Sequence, residues 1–204
     1  MSAQSSRFMD SVRSGGRRVV VFVCTLVLFA TAAKGASGGP QIPRAETAPV
    51  CDGALDEPMW QSAARVTLDY TTAASGKPAE RTEAFLAHDD EYLYVGFICH
   101  ETFAGKLQRN VRQYDDGVNQ DDSVEIFVAP GSRAPDTYYH FMVNTLGTKK
   151  DQRLFRGTRD VEWDSGFVAG AKIGDDAWTA EIAIPFYTMD IETRNDEPWE
   201  INLC

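Results

Sequence analysis

The densest group of side chains able to do chemistry is acidic. Asp115, Asp116, Asp121, Asp122 and Glu125 fall within one short stretch. Neighbouring carboxylates suit calcium, which takes about six to eight oxygen ligands, and two carboxyls on either side of a glycosidic bond can hydrolyse it. The spacing matches no EF-hand loop, and a sequence does not give the separation of two carboxyls. The cluster predicts a calcium site at Asp121 and Asp122, and catalysis by this chain is not expected.

The histidines do not form a second cluster. His88, His100 and His140 are scattered, so a histidine-ligated metal site is not expected. His140 does share a strand face with Met142 in the predicted pairing pattern, and His and Met are both axial ligands of haem. A haem-binding sandwich is therefore kept as one alternative.

An apolar run near the N-terminus has the character of an export signal. Residues 19–33 hold no charge, follow Arg17 and Arg18, and contain the small-x-small cleavage sequence Ala30-Thr31-Ala32. The run is shorter than the roughly 20 residues that span a bilayer as a helix. We predict a signal peptide and cleavage region over residues 1–36, with export to the periplasm, the cell surface or the medium. An uncleaved N-terminal anchor is the alternative.

The composition excludes some classes of function. The 204 residues include 20 Lys+Arg and 30 Asp+Glu, for a net charge of -10. Nucleic-acid binding by phosphate neutralisation is therefore excluded, since no basic patch is present. Behind the leader, Cys51, Cys99 and Cys204 match no metal-binding spacing, and the sequence leaves their disulfide pairing open.

The rest of the chain alternates with period two, which is typical of strands. The predicted strands cover residues 82–87, 92–99, 123–128, 138–144, 149–155, 167–173 and 177–184. Asp56 is a candidate N-cap for a short helix that carries Trp60, and residues 105–114 are a weaker helix candidate. The pattern predicts an all-β fold, an antiparallel two-sheet sandwich of jelly-roll type with one or two short helices.

The domain boundaries follow from this pattern. We expect a flexible start over residues 37–47 and the sandwich over residues 48–204. Residues 199–204 look like the opening of a further strand, so the sandwich is expected to continue beyond Cys204.

Six motifs occur along the chain in an order that is fairly specific for one fold. They are DGALDEPMW at 52–60, DEYLYVG at 90–96, DSVEIF at 122–127, FMVN at 141–144 with Gly147, WTAEIAIP at 178–185, and Trp199 with Ile201-Asn202. Together they resemble the family 9 carbohydrate-binding modules. The resemblance implies a secreted β-sandwich that holds a sugar, does no chemistry, often binds structural calcium and is typically attached to a glycoside hydrolase.

The resemblance carries over unevenly to the ligand contacts of that family. Glu125 matches a Glu that hydrogen-bonds sugar hydroxyls in sugar-binding members. The first of two sandwiching Trp positions falls at residues 118–120, which hold no aromatic, and an expected Arg aligns with Met142. The second Trp is expected beyond Cys204.

Other residues are candidates to complete such a site. Flat side chains stack on the apolar C–H faces of sugars, and Trp163 and Tyr114 lie in polar, loop-like sequence where they could supply the missing platform. Asn119, His140 and Asn144 are the polar neighbours expected beside Glu125. Three other tryptophans lie in the fold motifs and are expected in the core: Trp60, Trp178 and Trp199.

The predicted function is that of a non-catalytic carbohydrate-binding domain in carbohydrate catabolism. It would tether itself, or a covalently linked hydrolase, to a polysaccharide or oligosaccharide. One alternative is a structural or interaction sandwich at the N-terminus of a larger surface or outer-membrane protein, with a membrane domain beyond residue 204. The haem-binding relative is the other alternative.

Overall fold

The protein is a sandwich of two antiparallel sheets. In a computed structural model, the described residues are 24–26, 41–70, 78–102, 104–131, 134–189 and 198–204. The strands are β1 (Cys24–Leu26), β2 (Ala64–Leu68), β3 (Thr82–His88), β4 (Tyr92–His100), β5 (Ser123–Ala129), β6 (Tyr138–Asn144), β7 (Lys149–Phe155), β8 (Thr158–Asp160), β9 (Val168–Ile173), β10 (Ala177–Pro185) and β11 (Glu200–Leu203). One sheet has the order β1-β11-β5-β6-β7-β8 and the other β2-β3-β4-β10-β9. The predicted all-β, two-sheet architecture is confirmed.

The core lies between the two sheets and follows the period-two pattern. Val95 and Phe97 on β4 and Ile126 on β5 are each 0% exposed. β4 is apolar on both faces because it is central, paired with β3 on one side and β10 on the other. The predicted hairpin at residues 174–176 is present, since the Gly174 N–H donates to the Ala177 carbonyl.

Two short edge strands escaped the sequence pattern. β2 pairs with β3, and the three-residue β8 pairs with the end of β7. β11 pairs with β5, so the strand predicted from residue 199 onward is present. A strand of three residues is too short to show an alternation, which is why β8 could not be predicted.

The two predicted helices were only partly right. The first helix, α1, spans Met59–Ser62; it begins after Pro58 and receives no side-chain cap, so the Asp56 cap is wrong. At 105–114 only a 3₁₀ turn, Ala104–Lys106, forms. The reason is competition for backbone donors, because side-chain and backbone groups of Asp121 and Asp122 bind residues 108–111 in place of helical partners.

Part of the leader lies in the first sheet. Cys24–Leu26 pairs with β11, and the remainder of residues 1–40 lies outside the described residues, so the signal peptide stays a prediction. Among the residues that are described, no helix has the length and apolar character to cross a membrane. Among the described residues, Cys51, Cys99 and Cys204 form no disulfide.

A buried carboxylate attaches the segment before α1 to the outer face of the second sheet. Glu181 is 0% exposed and accepts hydrogen bonds from the backbone N–H of Gly53 at 2.8 Å and from Trp60 Nε1 at 2.8 Å. Trp60 Nε1 also lies 3.1 Å from Glu57 Oε2, so two carboxyls share one indole N–H. This network joins the motif at 52–60 to the motif at 178–185, so residues of both motifs serve one structural contact.

Close approach of backbone requires a glycine in this segment. Gly53 has a φ of +90°, and a Cβ there would lie 2.6 Å from the carbonyl carbon of Ala171 on β9. Any L side chain would be strained by the φ and would clash with β9. Gly53 thus brings its own N–H within reach of Glu181.

The Glu57–Glu181 pair predicts a pH dependence of stability. Burial and the hydrogen bond with Glu57 raise the pKa of Glu181 above its ordinary 4.5. The folded state therefore keeps a proton that the unfolded chain releases, so this contribution to stability is complete below about pH 4.5 and is lost as the pH rises through the raised pKa. Glu181→Gln resembles the protonated form. The melting temperature of this variant should therefore rise relative to that of the wild type as the pH increases from 4 to 8. Glu91→Gln, at an exposed site, is the control, and parallel curves for Glu181→Gln and the wild type would contradict the assignment.

Candidate functional site

The loop before β5 is fixed by one carboxylate. Asp121 Oδ2 accepts hydrogen bonds from the Asn110 and Val111 N–H groups, each at 2.8 Å, and from Asn144 Nδ2 at 2.9 Å. Asn144 Oδ1 in turn accepts from the N–H groups of Leu146 and Thr148. Asp121 and Asn144 therefore hold the 108–111 segment, the start of β5 and the β6–β7 turn together.

These contacts change the interpretation of two predicted site residues. Asn144 is 0% exposed, and its amide is hydrogen-bonded through both its oxygen and its nitrogen, so it serves the framework rather than a ligand. Asp121 and Asp122 accept backbone N–H groups, and no group of three or more His, Cys, Asp or Glu among the described residues is arranged to hold a metal. As the structure places them, Asp121 and Asp122 do not fit a calcium site, and calcium binding stays a prediction from the sequence.

Glu125 lies on the outer face of the first sheet at the head of a hydrogen-bonded row. Its Oε2 is 2.8 Å from His140 Nε2, and His140 Nδ1 is 2.9 Å from Gln152 Nε2. Because an amide nitrogen only donates, Nδ1 accepts and the proton lies on Nε2, which donates to the Glu125 carboxylate. The Glu125 side chain is 14% exposed, and its Oε1 has no partner among the described residues. The row holds Glu125 in one orientation with an acceptor to spare.

An aromatic side chain lies beside this row. Phe127 stacks on the His140 ring, with centroids 3.8 Å apart and planes 18° apart, and Tyr138 lies next to it at 5.9 Å. The strand register places Phe127 directly opposite Asn202 on β11. Asn202 Oδ1 is buried and has no hydrogen-bond partner among the described residues. We define the Glu125 face as Glu125, Phe127, His140, Gln152 and Asn202.

Three members of the Glu125 face were missed from the sequence. Phe127 follows Glu125 by two residues, so the alternation already placed both on one face. Asn202 was noted only as part of a fold motif. Gln152 could not have been found, because its place beside His140 depends on the register of β6 with β7.

The predicted stacking residues do not join the Glu125 face. Trp163 is 9% exposed and packs in the core against Tyr139, with ring centroids 5.2 Å apart, so it is not a surface platform. Tyr114 is 42% exposed, but its hydroxyl is 2.5 Å from Asp151 Oδ1. Asp151 is paired with core-facing Phe141, which puts Tyr114 on the opposite side of β7 from Glu125. The structure therefore places Trp163 and Tyr114 away from Glu125, although the sequence analysis grouped all three in one site.

Asn119 and His140 have contrasting surroundings. Asn119 is exposed on a 3₁₀ turn, Val118–Gln120, just before β5. His140 is 7% exposed, and both of its ring nitrogens are engaged, by Glu125 and by Gln152. Neither nitrogen is free to ligate haem in this arrangement, and the His140 ring holds the Glu125 carboxylate.

Comparison with known families agrees with this fold. The family model described as carbohydrate family 9 binding domain-like matches residues 51–199. The chain belongs to this family. No curated protein matches the family 9-like chain. The family consists of binding domains. The prediction of a non-catalytic carbohydrate-binding module is therefore confirmed at the level of the family.

Solved structures with a similar fold come from Bacteroides uniformis and Caldicellulosiruptor kristjanssonii. A candidate carbohydrate-binding protein from Bacteroides uniformis has 14% identity and a TM-score of 0.54, with 70% of this chain and 77% of that one covered. A family 9 carbohydrate-binding module from Caldicellulosiruptor kristjanssonii, solved with cellotriose and with glucose, has 20% identity and a TM-score of 0.48. The family 9-like chain is covered over 79% of its length, and the module over 82% and 84% in its two structures.

The role of Asp121 leads to a stability prediction. Asp121→Asn replaces an acceptor oxygen by a donor group among N–H groups, so the free energy of unfolding in urea should fall by about 1–3 kcal/mol. Asp175→Asn, in the exposed hairpin loop, should stay within about 0.5 kcal/mol of the wild type. Equal stability of Asp121→Asn and the wild type would contradict the bracing role. A midpoint that calcium raises in the wild type alone would instead assign Asp121 to a metal.

Proposed function

We propose that the Glu125 face binds a saccharide and that this binding is the work of the domain. The observation that carries the proposal is the carboxylate oxygen Glu125 Oε1, which has no partner among the described residues and lies on the same strand face as the Phe127 ring. The Glu125 side chain is 14% exposed, and a sugar hydroxyl is a donor for this carboxylate oxygen.

The chemistry of the face suits a sugar rather than a charged or purely apolar ligand. Phe127 offers a flat apolar surface for the C–H face of a pyranose ring. Glu125 is held by His140, so little side-chain entropy is lost when it accepts a hydroxyl. The net charge of -10 disfavours acidic polysaccharides. The ligand class that follows is a neutral oligosaccharide or polysaccharide.

The wider role extends this binding to anchoring. We propose that the protein is exported by its leader and keeps itself, or an attached glycoside hydrolase, on a polysaccharide. The support is the leader sequence over residues 1–36 and a binding face without any reaction of its own. Expression with the leader should give a mature protein whose mass corresponds to cleavage near residue 32, outside the cytoplasm. An uncleaved protein anchored in the membrane would contradict secretion.

Substitution of Glu125 tests the binding proposal. Glu125→Gln keeps the shape but removes the charge, and a hydrogen bond to a charged group is worth about 1.5–3 kcal/mol, so the dissociation constant should rise about 10–100-fold. The measurement is titration calorimetry with neutral mono- and oligosaccharides, together with gel electrophoresis in soluble neutral polysaccharides. Glu162→Gln, an exposed Glu on the loop after β8, is the matched control and should bind as the wild type does.

The opposite result is equally clear. If the wild type is retained by no neutral polysaccharide and gives no heat with any saccharide, the proposed function fails. If it binds and Glu125→Gln binds equally well, the Glu125 face is not the site.

A further inference from the structure

A second concave surface lies at the edge of β7. Three segments form a cleft of about 480 Å³: the loop that carries Arg112 and Tyr114, the β6–β7 turn, and the loop that carries Asp164 and Gly166. The Asp115 N–H donates to the Lys149 carbonyl, so the first loop runs along the open edge of the sheet. The cleft is on the opposite side of β7 from the Glu125 face, and no residue is common to both.

The aromatic wall of the cleft is held rigidly. The Tyr114 hydroxyl lies 2.5 Å from Asp151 Oδ1 and 3.0 Å from Asp164 Oδ1. Burial, followed by the hydrogen bond to Asp151, raises the pKa of Tyr114, so the hydroxyl stays protonated. The Lys149 ammonium lies 5.4 Å from the ring centroid, on one face of the ring, and donates to the Phe167 carbonyl. Tyr114 is 42% exposed, so part of its side chain faces the solvent.

A hydrogen-bond acceptor on Asp164 and a hydrogen-bond donor on Arg112 line the same cleft. Asp164 Oδ1 accepts from the Gly166 N–H at 2.8 Å and approaches the Tyr114 hydroxyl, whereas Oδ2 has no partner in the described part of the chain. The guanidinium of Arg112 is exposed and likewise has none there. A carboxylate only accepts and a guanidinium only donates, and vicinal sugar hydroxyls can serve both.

A second exposed aromatic extends this surface. Tyr187 is 75% exposed, and its hydroxyl lies 3.4 Å from the position that a Cβ would take at Gly166. Gly166 has a φ of +68°, so the loop turns here between the two tyrosines. Tyr187 therefore lies next to the loop that carries Asp164 and Gly166, at the border of the cleft.

From these observations we propose that the Tyr114 cleft is a second saccharide-binding site, which takes a neutral sugar residue stacked on Tyr114 with its hydroxyls between Asp164 and Arg112. This inference rests on the proposed function, because it assumes that the domain binds saccharides. Two sites on different sides of one chain bind a polymer more strongly than either alone, since the second contact forms at a high effective concentration.

Removal of the Arg112 guanidinium and replacement of Asp164 Oδ2 by an amide nitrogen test the cleft. Arg112→Ala and Asp164→Asn should each weaken retention in gels containing soluble neutral polysaccharide about tenfold, the effect of one lost hydrogen bond to a charged group. Monosaccharide binding that depends on Glu125 should be unchanged. Arg159→Ala, at an exposed position on β8, is the matched control. Because Tyr114 also satisfies buried Asp151, Tyr187→Ala is the aromatic variant of choice, with a smaller loss expected.

The outcomes separate this inference from the proposed function. Retention that falls in Arg112→Ala and Asp164→Asn, and falls further when Glu125→Gln is added, supports two sites. If the wild type is retained but both cleft variants match Arg159→Ala, the second site is overturned while saccharide binding stands. If Glu125→Gln has no effect and the cleft variants lose retention, the cleft stands and the Glu125 face does not. If the wild type binds no saccharide, both proposals fail.

Discussion

The hydrogen bonds of Asp121 are the constraint on which both candidate sites depend. Its carboxylate holds two backbone N–H groups of the 108–111 segment and the amide of Asn144, and Asn144 holds the turn that leads into β7. The loop that carries Tyr114 and the turn that lines the cleft therefore have fixed ends. Asp121 also lies just before Asp122 and β5, the strand that carries Glu125. A buried carboxylate with several N–H donors is stable because each donor partly replaces its lost hydration.

A similar arrangement operates on the other sheet, where Glu181 holds the segment around Gly53 and Trp60. In both cases a polar side chain from a regular strand orders a segment that has little regular structure of its own. Such segments cannot satisfy their own backbone groups, and burial without partners would be costly. Glu181 in the 178–185 motif and Asn144 in the 141–144 motif both make such structural contacts. These motif residues therefore specify the fold more closely than the ligand.

The strands and the fold class could be predicted because period-two alternation is local and burial on one face enforces it. The outward position of Glu125 was also predictable, from its place in an alternating strand. Trp163 shows where this reasoning failed: polar neighbours in sequence suggested an exposed ring, yet the side chain packs on Tyr139 in the core. Asn144 failed similarly, because the sequence does not show that its hydrogen-bonding groups are already used.

The sequence by itself determined the alternation of the strands, the positions of the main turns and the family to which the chain belongs, since all of these reside in short motifs. Only the tertiary structure decided which polar groups remain free. The pairing of β6 with β7 aligns Gln152 with His140, and the pairing of β11 with β5 sets Asn202 opposite Phe127. The pairing of β6 with β7 also places Tyr114 and Glu125 on opposite sides of β7. These are consequences of register between strands distant in the chain, and register is a property of the assembled sheet.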